Sequence, residues 1–140
     1  MKPIYQAVVT SEGGRKNGHV KSADGIIDFE MDMPKELGGA GGKPNPELLF
    51  AAGYSACFET ALQVVAEKRK TRLESSKVVA HVTLGSNASG GFELETKLQV
   101  YLPGLGREDG TKIMQEAHTV CPYSNATKGN MKVELEFMEE

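Results

Sequence analysis

Residues 45 to about 70 constrain the fold of this chain more than any other segment. Asn45 is a good helix N-cap, and Pro46 suits the first helical position, where a missing N–H costs nothing. Glu47 complements the positive helix end. Leu49, Phe50, Gly53, Cys57, Thr60, Ala61 and Val64 then recur at helical spacing, with Glu59, Gln63, Glu67 and Lys70 largely outside that stripe. The spacing predicts a helix to about residue 70, and a chain of 140 residues has to build its core around it. That length fits one compact domain, so residues 1–140 are expected to form a single one.

Strand patterns flank the helix. Residues 4–10, with Ile4, Ala7, Val8 and Val9, read as a strand, and Ser11 to Gly18 as a glycine-punctuated loop. His19 to Lys21 and Ile26 to Met31 predict a hairpin around Ser22-Ala23-Asp24-Gly25. Pro34 to Pro46 is the longest irregular stretch. Residues 77–85 and 92–102 alternate as two strands joined at Asn87-Ala88-Ser89-Gly90-Gly91. A second amphipathic helix spans about 107–120, where Pro122 forbids continuation, and Met131 to Met138 reads as a final strand. Strands, helix, strands, helix, strand is an α+β order.

The charge balance narrows the function classes. A net charge of −3, with no basic stripe, points away from nucleic acid. No apolar run is expected to reach the roughly 20 residues that cross a bilayer, so no membrane partner is expected. The segment Met1-Lys2-Pro3-Ile4-Tyr5-Gln6 has no apolar signal core, which makes the cytoplasm the expected address. Thiols are kept reduced there, so a cysteine pair is more often catalytic, redox-active or metal-binding than a structural disulfide.

Cys57 and Cys121 are 64 residues apart and form no CxxC motif. Cys57 lies on the apolar stripe, about three turns into the helix, where a small buried core residue is an equally good reading. The helix dipole fades within its first turn, so a reactive Cys57 needs a cation from elsewhere. Arg15, in its glycine-flanked loop, is a candidate. Cys121 falls at the end of the second helix, whose negative partial charge disfavours a thiolate; if one cysteine attacks and the other resolves, Cys57 is the attacker. Glu47 serves the helix start and could also hold an arginine. It precedes Cys57 by about 15 Å along an ideal helix and about 80° around it. Either the helix breaks near its start, or another chain supplies part of the site.

Other motifs fail. Gly53-Tyr54-Ser55-Ala56-Cys57 lacks the last glycine of a nucleophile elbow and lies within the helix. Gly42-Lys43-Pro44 is no P-loop, and His118 with Cys121 lacks a further pair to complete a metal site.

Asn45-Pro46-Glu47-Leu48-Leu49-Phe50-Ala51-Ala52-Gly53-Tyr54-Ser55-Ala56-Cys57-Phe58 resembles the peroxidatic motif of the organic hydroperoxide resistance proteins, a branch of the OsmC/Ohr superfamily. Val120-Cys121-Pro122-Tyr123-Ser124-Asn125-Ala126-Thr127, followed by Gly129-Asn130, resembles their resolving-cysteine motif. Gly13-Gly14-Arg15 and Pro34-Lys35-Glu36-Leu37-Gly38-Gly39 match upstream blocks in order, with Lys16-Asn17 standing where the family has a shorter, often acidic link.

The resemblance implies an α+β fold with antiparallel sheets around a long central helix carrying the first cysteine, in an intertwined homodimer with its sites at the subunit interface. It implies a thiol peroxidase that reduces organic hydroperoxides to alcohols. Cys57 would be the peroxidatic residue, Cys121 the resolving one, and Arg15, held by Glu47, would stabilise the thiolate. It further implies a dithiol reductant, protein-bound lipoyl groups being the expected source, and no bound cofactor. Leu49, Phe50, Phe58 and Ala61 around the Cys57 helix favour an alkyl or fatty-acid hydroperoxide over hydrogen peroxide. The rival reading is a cysteine-pair redox sensor or binding protein that reacts without turnover.

Overall fold

The computed structural model describes residues 1–139. They divide into two compact units, Met1–Leu49 and the residues from Phe50 onward.

In the first unit, strands β1 (Val9–Glu12), β2 (Gly18–Ser22) and β3 (Asp28–Met31) form an antiparallel sheet in that order. The β2–β3 hairpin is the predicted one. Its turn is held by Asp24, whose carboxylate accepts the Ser22 hydroxyl at 2.6 Å and the Ile26 N–H at 3.0 Å. The first strand is displaced from its expected place at 4–10. Pairing with β2 begins at Val9 opposite Ser22, and after the Ala23 N–H to Val8 carbonyl bond the partner chain turns away. Ile4 and Tyr5 therefore have no strand opposite them and are 97% and 83% exposed. Residues 34–45 hold only a short 3-10 turn at Lys35–Leu37.

Helix α1 (Pro46–Lys68) is unbroken. The Asn45 side-chain oxygen accepts the Leu48 N–H at 2.9 Å, as the N-cap reading requires. At the other end Lys70 takes a left-handed conformation (φ +56°), and Thr71 N–H bonds back to Ala66 O at 2.9 Å, closing the helix two residues before the expected end. The buried face of α1 is Tyr54, Phe58, Ala61, Leu62, Val65 and Ala66, about one residue out of phase with the expected stripe. Leu49 and Val64, expected inward, are exposed. Apolar residues lie nearly all round this helix, so periodicity alone cannot phase it. For the same reason α1 is long and apolar enough to cross a membrane by length and composition, contrary to the sequence expectation. In the second unit its buried residues belong to a protein core with Leu98, Val100, Ile113, Met114 and Phe137.

The second unit continues with β4 (Lys77–Ser86) and β5 (Phe92–Tyr101), a ten-residue antiparallel hairpin from Lys77↔Tyr101 to Ser86↔Phe92. The Asn87 side-chain oxygen accepts the Ser89 and Gly91 N–H groups in its turn. Helix α2 (Arg107–Val120) has the predicted bounds, and a short helix, α3 (Pro122–Thr127), follows it. The final strand β6 (Val133–Met138) completes the order β4-β5-β6. The α+β class holds, but one pairing departs from the antiparallel expectation: β6 runs parallel to β5. Two helices intervene between these strands, which supplies the long crossover that a parallel pair needs and a hairpin cannot.

Candidate active site

Cys57 sits midway along α1, half-buried, and Cys121 is fully buried at the junction of α2 and α3; both are free thiols. Cys121 both ends α2, through its N–H to Ala117 O at 2.9 Å, and starts α3, through its carbonyl to Asn125 N–H at 3.0 Å. The fold closes the sequence gap and sets the two thiols beside each other. Burial pushes the Cys57 thiol above its ordinary pKa; the Tyr123 N–H pulls the other way, and the neighbouring Cys121 raises it further. Nothing in this balance makes Cys57 a thiolate at neutral pH. The sequence reading asks for a cation to activate Cys57, and none is among these influences.

In the first unit, Arg15 and Glu47 form a two-pronged ion pair. The guanidinium donates from Nη1 to Glu47 Oε2 at 2.8 Å and from Nη2 to Oε1 at 2.7 Å. Left-handed Gly13 (φ +83°) and Gly14 (φ +72°) turn the backbone just before Arg15, a conformation that other residues adopt only with strain. Asn17, in the inserted Lys16-Asn17 link, also takes a positive φ, which asparagine tolerates better than most. The Arg15 bond depresses the Glu47 pKa against the opposing effect of burial, and the same bond raises the Arg15 pKa. The four expected residues thus stand as two pairs, Arg15–Glu47 in one unit and Cys57–Cys121 in the other. Because α1 is unbroken, a broken helix start is removed as the way to unite Glu47 with Cys57.

Sequence reasoning missed the residues around the cysteines. The Tyr54 hydroxyl bonds Ser124 Oγ at 2.8 Å, and Ser124 Oγ bonds His118 Nδ1 at 2.8 Å, linking α1, α3 and α2. Tyr54 and Ser124 are 0% and 1% exposed. Burial, and then the charge of Lys128, lowers the His118 pKa, so the imidazole is neutral at pH 7. The rings of Phe50, Tyr54 and Tyr123 meet with centroids 5.6 to 6.0 Å apart. An available signal was Ser124, a polar residue in a short segment directly after a cysteine and a proline. Phe58 and Ala61, expected beside a substrate, face the core instead, because the buried face of α1 is rotated from the expected one. No group of three or more metal-ligating side chains occurs among the described residues.

Residues 39–136 match the family model described as OsmC-like protein. The chain is 43% identical over 136 residues to the organic hydroperoxide resistance protein of Xanthomonas axonopodis pv. citri, covering 96% of this chain and 94% of that one. This chain belongs to the organic hydroperoxide resistance branch of the OsmC family. Two crystal structures agree with that placement. The organic hydroperoxide resistance protein of Elizabethkingia anophelis, with thiocyanate bound, is 47% identical, with a TM-score of 0.96 and full coverage of both chains. The organic hydroperoxide resistance protein OhrB of Bacillus subtilis is 42% identical, with a TM-score of 0.87, over 96% of this chain and 98% of that one. Both sheets and all three helices of the present chain therefore belong to an α+β fold shared within the branch.

Proposed function

We propose that this protein is a cysteine-based peroxidase that protects against organic hydroperoxides. The observation that carries the reading is the apposition of Cys57 and Cys121, a half-buried thiol against a fully buried one from a distant helix junction. The names of its relatives support the same role. The Cys57 thiolate attacks the distal oxygen of ROOH; the O–O bond breaks, an S–O bond forms, and the departing alkoxide takes a proton to leave as ROH. The Cys121 sulfur then attacks the Cys57 sulfenic acid, forming the disulfide, and its proton leaves with the hydroxide as water. A dithiol, supplied by protein-bound lipoyl groups, reduces the disulfide by exchange and is itself oxidised to a cyclic disulfide. No bound cofactor takes part.

Arg15, held by Glu47, supplies the cation that stabilises the Cys57 thiolate, in a homodimer. Exposed Ile4, Tyr5, Val8, Val9 and Ile26 give the first unit an apolar surface suited to a second copy. Leu49, exposed, and Phe50, partly buried, at the start of α1 favour an alkyl or fatty-acid hydroperoxide. We place the chemistry in the cytoplasm, where resting thiols persist, and treat the 140 residues as one functional domain.

Steady-state peroxide consumption tests the reading, comparing cumene hydroperoxide with hydrogen peroxide and dihydrolipoamide with a monothiol. Repeated turnover, fastest with the organic peroxide and the dithiol, is expected. A single stoichiometric oxidation would favour a redox sensor, and no oxidation of Cys57 would remove the peroxidase.

A further inference from the structure

We propose that Gly53, Tyr54 and Ser124 form a docking device that holds α3 against the Cys57 turn of α1, so that Cys121 is presented to Cys57 for disulfide closure. Helix α3 has six residues, too few to be stable without tertiary support. Two of its residues find that support on α1. Ser124 is pinned through its hydroxyl to Tyr54, and the hydroxyl end of the Tyr123 ring abuts Gly53, where a Cβ would come within 2.9 Å of the ring carbon Cζ. Gly53 and Cys57 are one turn apart and share a face of α1, so the surface that receives α3 is the one that carries the thiol.

The hydrogen-bond chain is well defined because the Ser124 hydroxyl has one proton for two partners. Either Tyr54 donates to Ser124 and Ser124 donates to neutral His118, or the order is reversed. Both arrangements satisfy the buried oxygen, and any sliding of α3 leaves it unpaired. These are positioning residues, assigned to hold α3 rather than to take part in the closure chemistry.

The proposal rests on the peroxidase reading for its kinetic arm and stands without it for its equilibrium arm. The equilibrium arm measures the potential of the Cys57–Cys121 disulfide in Tyr54→Phe and Gly53→Ala against a dithiothreitol redox buffer, with no peroxide present. Displacing reacting atoms by an ångström can cost up to about a hundredfold in rate, so a partial displacement is expected to cut the effective concentration of the thiols about tenfold. That loss raises the potential by about 30 mV. The kinetic arm follows first oxidation and disulfide closure after one equivalent of cumene hydroperoxide. Closure slows about tenfold, while the first oxidation stays within about twofold of wild type. Tyr54→Phe retains the ring and deletes only the hydroxyl, so it keeps the test alive if Gly53→Ala does not fold. Wild-type potential and closure rate in either folded variant would overturn the proposal, as would equal slowing of both steps. A shifted potential in a protein that no peroxide oxidises would support the docking device and sink the peroxidase reading alone.

Discussion

Glu47→Gln tests the proposal that Arg15, held by Glu47, serves as the cation for Cys57. The substitution keeps the size of the side chain but removes its charge and one of two acceptors for Arg15. Hydrogen bonds to charged groups contribute about 1.5–3 kcal/mol each when shielded, whereas exposed ion pairs are worth about 0.2–1 kcal/mol. The Arg15 side chain is 39% exposed and that of Glu47 18%, so solvent screening puts the pair between these limits, at about 1–2 kcal/mol. Losing most of that frees Arg15 from its bonded geometry and lowers the rate of Cys57 oxidation about five- to tenfold, at 1.36 kcal/mol per factor of ten. The rate is read by stopped-flow after mixing reduced protein with excess cumene hydroperoxide at pH 7, before the disulfide is recycled. Arg15→Ala removes the cation itself and slows the step at least as much. In the double variant the Glu47 change adds nothing further, because its effect acts through Arg15. An unchanged rate in Glu47→Gln, or full additivity in the double variant, would refute this coupling.

Further expectations follow from the same geometry. Cys57→Ser abolishes peroxide reduction, whereas Cys121→Ser keeps the first oxidation, seen as a trapped sulfenic acid, and loses turnover with dithiol; equal loss of the first step in both would reverse the assigned roles. The Glu47 pKa is depressed on folding, so its stabilisation is complete above the unfolded carboxylate value of about 4.3 and is lost as pH falls through the lower folded value. Urea unfolding between about pH 6 and pH 3 should show that loss in wild type and a smaller one in Glu47→Gln. Asn45→Ala removes the α1 cap and should lower stability by about 1 kcal/mol, measured by denaturant unfolding.

What could be read from the sequence depended on how local the signal was. The cap at Asn45, the Asp24-Gly25 turn and the α2 bounds each rest on a few adjacent residues, and each stands in the fold. The buried face of α1 depends on which neighbours exclude water. A helix with Leu48, Leu49, Phe50, Leu62, Val64 and Val65 spread around it does not announce that face. The parallel β5–β6 pairing is likewise a tertiary choice, because either direction suits an alternating strand. Helix α3 was hidden by its length and by Pro122, which stops α2 but is equally at home in the first turn of a new helix. Of the candidate site, the sequence could nominate the residues with distinctive chemistry, Cys57, Cys121, Arg15 and Glu47, and the fold sets them in two pairs. Tyr54 and Ser124 were not, since a buried hydroxyl pair is recognised only when the fold shows that each satisfies the other.

Mapping the oxidised cysteines after a single equivalent of organic hydroperoxide tests the central claim most directly. Reduced protein is mixed with cumene hydroperoxide, quenched with a thiol-alkylating reagent, digested and weighed. A Cys57–Cys121 crosslinked peptide, two hydrogens lighter than the reduced pair, formed in step with one equivalent of alcohol, is the predicted result. Both cysteines recovered alkylated, with the peroxide unconsumed, would contradict it.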